Sequence, residues 1–243
     1  MWFGLVVTFE YTQAFFILIY YWIKALGRVL FVHDVEKNVE NETILVTGAG
    51  SGLGRGVAKR LAALGATVVL WDVNEKGNED TKRQILDSWS SAKVLKSFLG
   101  SMLAANRGHI VTIASGAGIF GISKLTDYCS SKYAAVGLHD ALTAELKQQH
   151  KYGIQTTVIC PTFINTGMFH GVSGTATSVS LLDENYVCDS IVEAIRKNKH
   201  FVMLPPSTTL FYILKGLLPN ECTGRFLRFF GLSNAMDTFV GRK

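Results

Sequence analysis

Three side chains in this sequence, Ser115, Tyr128 and Lys132, have the types and spacing to move a proton at an oxygen atom. Tyr128 and Lys132 stand four apart, so a helix places both on one face. A free phenol, with a pKa near ~10, is mostly a proton donor at neutral pH. A neighbouring ammonium favours phenolate, which lets Tyr128 exchange a proton with an alcohol or carbonyl oxygen. Ser115, thirteen residues before Tyr128, supplies a hydroxyl suited to holding that oxygen where charge develops. Order matters more than the letters, because Tyr20 and Lys24 repeat the same spacing inside an apolar N-terminal run.

The elements around these residues decide whether they meet. His109–Ala114 is β-branched and apolar and reads as a buried strand that ends at Ser115. A loop broken by Gly116, Gly118 and Gly121 follows, and the pattern turns helical from about Tyr128 to Leu146. The three groups then lie at the carboxyl end of a strand, where open α/β folds bind ligands. Upstream, Thr43–Thr47 reads as a strand, followed by Gly48-Ala-Gly-Ser-Gly-Leu-Gly54 opening a helix to about Leu64. Gly48, Gly52 and Gly54 suit a tight turn, close approach to a pyrophosphate and helix-on-strand packing, with the helix N-terminus facing the phosphate charge. A second strand, Thr67 to Asp72, ends in an acid eighteen residues past Gly54. A carboxylate there accepts hydrogen bonds from an adenosine ribose and repels a 2′-phosphate, which favours NAD(H) over NADP(H).

Further on, helices are predicted over about Lys76–Trp89 and from the Ser90–Leu95 join to about Asn106. A strand over Gln155–Cys160 ends in Pro161-Thr-Phe-Ile-Asn-Thr166, and the polar segment Gly171–Ser180 is placed to lie over a substrate. A helix over Glu184–Asn198, a last strand over His200–Leu204 and a stop at Pro205-Pro206 complete the reading.

Composition narrows the class. The 243 residues suffice for one large α/β domain, and 48% are apolar, with a mean hydropathy of +0.24. Residues 1–23 hold one charge, Glu10, and end in Tyr20, Tyr21 and Trp22 ahead of Lys24 and Arg28. Such a run has the length and flanks of a membrane segment, with the remainder cytosolic; a buried or interfacial amphipathic helix is the other reading. The expected organisation is an anchor over 1–28, a connector over 29–42, a dinucleotide-type domain over 43–204 and an apolar, basic tail over 205–243. That tail is read as a pocket wall, a second membrane contact or a buried helix with snorkelling basic ends. The net charge of +5 comes without a basic run, so nucleic acid is not an expected partner. Cys129, Cys160, Cys188 and Cys222 are scattered, and His109, His139 and His170 lack ligand spacing, so neither a disulfide frame nor a metal site is expected.

Taken together, Thr47-Gly48-x-x-x-Gly52-x-Gly54, Ser115 and Tyr128-x-x-x-Lys132 resemble the short-chain dehydrogenase/reductase family. Within it, the apolar leader, Leu-Trp-Asp-Val at 70–73, Cys-Pro-x-x-x-x-Thr-Gly-Met-Phe at 160–169 and the ending Thr238–Arg242 are similar to membrane-anchored retinol and 17β-hydroxysteroid dehydrogenases. The resemblance implies a Rossmann-like, doubly wound parallel sheet preceded by a hydrophobic helix. It implies hydride transfer between a nicotinamide cofactor and a lipophilic alcohol or carbonyl, with Ser115, Tyr128 and Lys132 catalytic. Gly48, Ser51, Gly52, Leu53, Gly54, Asp72, Tyr128, Lys132, Pro161 and Thr166 would hold the cofactor. Lys132 would tune Tyr128 and bind the nicotinamide ribose, and Thr166 would orient the carboxamide. An endoplasmic-reticulum or lipid-droplet membrane and a homodimer are the implied setting and assembly.

One departure is large. Between Trp89 and His109 the family places two further strands, one ending in Asn-Asn-Ala-Gly, but this interval holds only about twenty residues and that tetrapeptide is absent. Ala92–Val94 reads as the start of one lost strand and Leu95–Leu99 as the end of a later helix, which puts the junction near Val94. The expected sheet is therefore incomplete, with about five strands. It either opens or lets the Ser115 strand pair with the first strand, in a flavodoxin-like order. Direct pairing moves the triad by about one strand spacing, ~4.8 Å, from the cofactor loop, so a low or absent catalytic rate is expected, as is the alternative of a membrane-anchored binding protein.

Overall fold

The computed structural model describes residues 16, 17, 19, 20, 23, 24, 36–49, 52–71, 98–165 and 181–217. The chain divides into one unit over Met1–Glu36 and a second over Lys37–Lys243. In the first, residues 16, 17, 19, 20, 23 and 24 are helical, and Phe16, Ile17, Tyr20 and Ile23 are exposed. The rest of the expected anchor lies outside the described residues, as do the expected 76–89 helix, the junction at Val94, the 171–180 segment and the tail beyond 217. Among the described residues no helix is long and apolar enough to cross a membrane.

The second unit is built from strand–helix alternation. β1 (Thr43–Thr47) and β2 (Thr67–Trp71) pair in parallel, with Thr43 opposite Thr67 and Thr47 opposite Trp71. Between them α1 (Gly52–Ala63) buries Val57, Ala58 and Leu61, spaced to share one helix face. β3 (Gly108–Ile113) follows helical residues 98–105 and runs into a 3-10 turn at Gly116–Gly118 and the long helix α2 (Thr126–Gln148). β4 (Ile154–Pro161) is buried at all but one of its residues, as a central strand of a parallel sheet should be. α3 (Glu184–Arg196) starts at Asp183, whose side chain accepts from the Tyr186 N–H at 3.0 Å. β5 (Phe201–Leu204) and α4 (Thr208–Leu217) close the described chain.

All five described strands are parallel, but they form two sheets: β1–β2, and β3–β4–β5 in that order. Of the two outcomes expected for a chain lacking a strand, the sheet opens; β3 does not pair with β1 among the described residues. What joins the halves is a core. Ile44, Val46 and Val68 from one sheet and Val111, Ile159 and Val202 from the other pack against Val57 and Leu61 of α1 and Val187, Ile191 and Ile195 of α3. α1 and α3 meet closely because Gly56 has no side chain: a Cβ there would lie 2.4 Å from Cys188 Sγ. Arg60 Nε then donates to Asp189 Oδ1 at 2.5 Å, and Nη2 to Asn185 Oδ1 at 3.2 Å.

On the opposite face of β3–β4–β5, α2 covers Ile110, Val158 and Cys160 through Ala135, Val136, Leu142 and Leu146. α4 packs there by Phe211, leaving Leu210 and Ile213 exposed. Of the three readings of the tail, residues 208–217 take the form of a helix lying on the core by one side. Its Lys215 Nζ donates to the Ile119 carbonyl and lies 3.0 Å from Tyr133 Oη. No sequence signal announced that tie, because its partners are 96 and 82 residues away.

Candidate active site

Ser115 lies two residues past β3 and caps the 3-10 turn, with extended backbone angles of φ −166° and ψ 160°. Its buried hydroxyl accepts from the Ala117 N–H at 3.1 Å and donates to the Pro161 carbonyl at 3.4 Å. The second bond is at the long, weak end of the range, so turning the proton toward another acceptor costs little. Pro161, predicted as a cofactor contact, is thereby placed beside Ser115 at the carboxyl ends of adjacent strands.

Tyr128 and Lys132 stand in the first two turns of α2, both half-buried, and Lys132 Nζ lies 5.6 Å from the centre of the Tyr128 ring. The ammonium thus stands over the face of the aromatic ring, a cation–π contact. The Ser115 turn is docked onto this helix at one point: a Cβ on Gly118 would approach the Lys132 carbonyl oxygen to 2.6 Å. Gly118 thus fixes the distance between serine and helix. Around the phenol, Ala117, Ile122, Leu125, Cys129 and Phe163 form one apolar cluster with Tyr128. Phe163 escaped the sequence reading, since only folding brings the segment after β4 against α2.

At the other site loop, Gly48 (φ +69°) and Gly52 (φ +48°) adopt left-handed backbone, which glycine alone takes without strain. A Cβ on Gly48 would meet nothing within 4 Å, so this residue borders open space. Gly54 makes room for the residue that directly follows β1. Its Cβ would lie 2.0 Å from the Gly48 carbonyl oxygen, so it lets the helix close on its own loop. Gly56 makes room for a neighbouring helix, α3, at Cys188. Leu53 is half-buried in the core shared by both sheets, and its carbonyl accepts from Cys188 Sγ at 3.8 Å. An open glycine turn leading into a helix N-terminus with no acidic residue in its first turn suits a pyrophosphate. Ser51, Asp72 and Thr166 lie outside the described residues.

Two histidines take structural places. His109 Nδ1 is 2.6 Å from Lys37 Nζ and Nε2 is 2.8 Å from Thr157 Oγ1; burial, then the Lys37 charge, pushes its pKa down to about 3. His139 is 1% exposed, with Nδ1 3.2 Å from Thr112 Oγ1 and Nε2 without a partner, and burial lowers its pKa to about 4. Cys160, beneath Ser115, is pushed up to about 12 by burial and stays a thiol. An open cavity of about 470 Å³ is lined by Gly121, Ile122, Ser123, Thr126, Cys129, Ser130 and Tyr133. Thr126, Ser130 and Tyr133 lie on the α2 face turned away from Tyr128 and Lys132, whereas Ile122 and Cys129 also belong to the cluster that holds Tyr128.

Comparison with known proteins agrees with this geometry. The short chain dehydrogenase family model matches residues 42–96 and 86–176, two pieces that meet around Val94. Epidermal retinol dehydrogenase 2 of Homo sapiens is 32% identical over 271 residues, covering 85% of this chain and 88% of that protein. The 17-beta-hydroxysteroid dehydrogenase 13 of Homo sapiens is 30% identical over 288 residues, covering 93% and 94%. Both alignments are longer than the 243 residues of this chain, so the relatives carry residues that it lacks. Among solved structures, a short chain dehydrogenase/reductase from Burkholderia phymatum in complex with NAD aligns with a TM-score of 0.59 at 20% identity, covering 74% of this chain and 95% of that one. A short chain dehydrogenase from Burkholderia cenocepacia in complex with NADP gives 0.61 at 16%, covering 79% and 99%. With the serine, tyrosine, lysine and glycine loop placed as described and the family model matched over both halves, the chain belongs to the short-chain dehydrogenase/reductase family of oxidoreductases.

Proposed function

We propose that the chain transfers hydride between a nicotinamide cofactor, NAD(H) in preference to NADP(H), and a lipophilic alcohol or carbonyl of the retinoid or steroid class. The observation that carries the substrate class is the apolar cluster of Ala117, Ile122, Leu125, Cys129 and Phe163 around Tyr128. Tyr128 is set against that apolar cluster, surroundings that favour a substrate with an apolar body and one polar end. The names of the retinol and hydroxysteroid dehydrogenase relatives support the same class.

The bound nicotinamide supplies the hydride chemistry. The residues do the rest. Tyr128 gives or takes the proton at the substrate oxygen, Lys132 favours its phenolate, and Ser115 turns from the Pro161 carbonyl to hold that oxygen. Gly48, Ser51, Gly52, Leu53 and Gly54 would cradle the pyrophosphate, with Pro161 and Thr166 beside the nicotinamide. Asp72 would bind the adenosine ribose, the basis of the preference for NAD(H).

The apolar leader over 1–28 is proposed to anchor the protein in the endoplasmic-reticulum or lipid-droplet membrane, with 43–204 as the cytosolic dehydrogenase domain and 205–243 as its tail. The incomplete sheet of about five strands is part of this reading, and a homodimer is its proposed assembly. The test is purified chain with NAD or NADP and retinol, estradiol or a long-chain alcohol. NAD-dependent turnover lost in Tyr128→Phe supports the reading, and no turnover with any of the three overturns it. Membrane retention after deletion of residues 1–28 would show that the leader is not the anchor.

A further inference from the structure

The two sheets end in strand edges that face one another over a common floor. The Gly108 N–H donates to Gly153 O at 3.3 Å and the Ala114 N–H to Ile159 O at 2.8 Å. Even-numbered residues of β3 therefore address β4, and the peptide groups of His109, Val111 and Ile113 point the other way. In β1 the Glu42 carbonyl accepts from the Thr67 N–H at 2.8 Å, so Ile44 and Val46 address β2, and Thr43, Leu45 and Thr47 present the outer edge. Among the described residues neither edge has a strand partner.

Two contacts show that these edges face each other. Arg107, one residue before β3, donates to Glu42, one residue before β1, and Lys37 Nζ reaches His109 Nδ1 at 2.6 Å. Beneath both strands the floor is shared: Ile44 and Val46 pack on the same cluster as Val111, with α1 and α3 spanning it. Long side chains thus bridge what hydrogen bonds do not. At the other end Ile113 is 39% exposed and Thr47 is exposed, although both stand in strands that lead into the active site.

Strand edges without a partner template further pairing, and edges on two sides set what fits between them. We propose that the space between β1 and β3 is an acceptor for an extended segment of another polypeptide, lying parallel to both strands and bonded on both of its edges. The length of β1 and β3 sets five or six residues. The floor of Val57, Leu61, Val187 and Ile191, on which Ile44, Val46 and Val111 already pack, requires apolar, β-branched side chains at every second position. Lys37 and Arg107, facing Glu42 alone at the entry, favour an acidic residue ahead of the strand. A second copy of this chain is a poorer donor, because each of its described strands is already held in a sheet. The family comparison points to the same place, since its two matched pieces meet between β2 and β3 and the relatives carry more residues.

The test is a fluorescently labelled seven-residue peptide, one aspartate followed by alternating valine and threonine, titrated into the full chain and followed by anisotropy and amide hydrogen exchange. Saturable binding is expected, with slowed exchange at Thr43, Leu45, Thr47, His109, Val111 and Ile113. The same peptide N-methylated at alternate residues should bind at least tenfold more weakly. Three results each overturn the proposal: no saturation, equal binding of the N-methylated peptide, or protection of the six amides by self-association before peptide is added. Because binding is read without turnover, the outcome is independent of the hydride-transfer reading.

Discussion

Lys132 Nζ lies 5.6 Å from the centre of the Tyr128 ring, one helical turn away, while the Lys132 carbonyl is the point at which Gly118 lets the serine turn dock. One residue therefore meets the Tyr128 ring with its side chain and the Ser115 turn with its backbone. Removing the phenol hydroxyl in Tyr128→Phe is expected to lower kcat by about a hundredfold or more, the usual worth of a positioned acid–base group. Cofactor binding should change little, which separate fluorescence titration with NADH checks.

Gly118→Ala tests the docking point. Its methyl group would lie 2.6 Å from the Lys132 carbonyl oxygen, so the turn and helix must separate. The expected cost is about 1–3 kcal/mol of stability by urea unfolding, together with a fall in kcat larger than that of KM. Gly54→Ala is expected to act at the other loop, since its Cβ would meet the Gly48 carbonyl at 2.0 Å. Weakened binding of NADH is the readout.

Stability should fall on acidification. His109 and His139 have native pKa values of about 3 and about 4, below the ordinary 6.5, chiefly through burial. The unfolded chain therefore binds more protons than the native one between about pH 6.5 and 3. Stability is fully present above pH 6.5 and lost as pH falls through that window, by roughly 1–2 kcal/mol per histidine between pH 7 and 5. His139→Gln should flatten the slope of unfolding free energy against pH over this range, even if it lowers the value at pH 7.

Lys215→Met removes the donor to the Ile119 carbonyl and the contact with Tyr133. α4 is then held by Phe211 and the Phe201–Tyr212 ring contact at 5.0 Å. Faster proteolysis near residues 205–217 is expected, with a loss of about 1 kcal/mol or more in unfolding free energy.

The open sheet also bears on rate. Inserting the extra residues of a relative between Val94 and Leu95 is expected to raise kcat, because a paired strand between β1 and β3 would fix Ser115 relative to the Gly48–Gly54 loop. Equal single-turnover rates with and without the insertion would show that the two sheets already hold that distance.

Local chemistry made much of this protein legible in one dimension. β-Branched runs gave β1 as Thr43–Thr47 and placed β3 within a residue of its span, and the glycines marked the loop before α1. Ser115, Tyr128 and Lys132 could be named because one strand, turn and helix supply all three, so their relation depends on local geometry. Gly54 and Gly56 show the limit: both were visible as small residues, but the carbonyl and the thiol they make room for are defined by contacts, one of them with Cys188 on a distant helix. Phe163 beside Tyr128, Lys215 on Ile119 and the buried places of His109 and His139 arise from long-range packing, which leaves no periodic trace. Whether β3 would join β1 or leave the sheet open depended on competition between hydrogen bonding along an edge and apolar burial under α1 and α3. The sequence supplied both terms of that competition, and only the tertiary structure decided it: two sheets over one core.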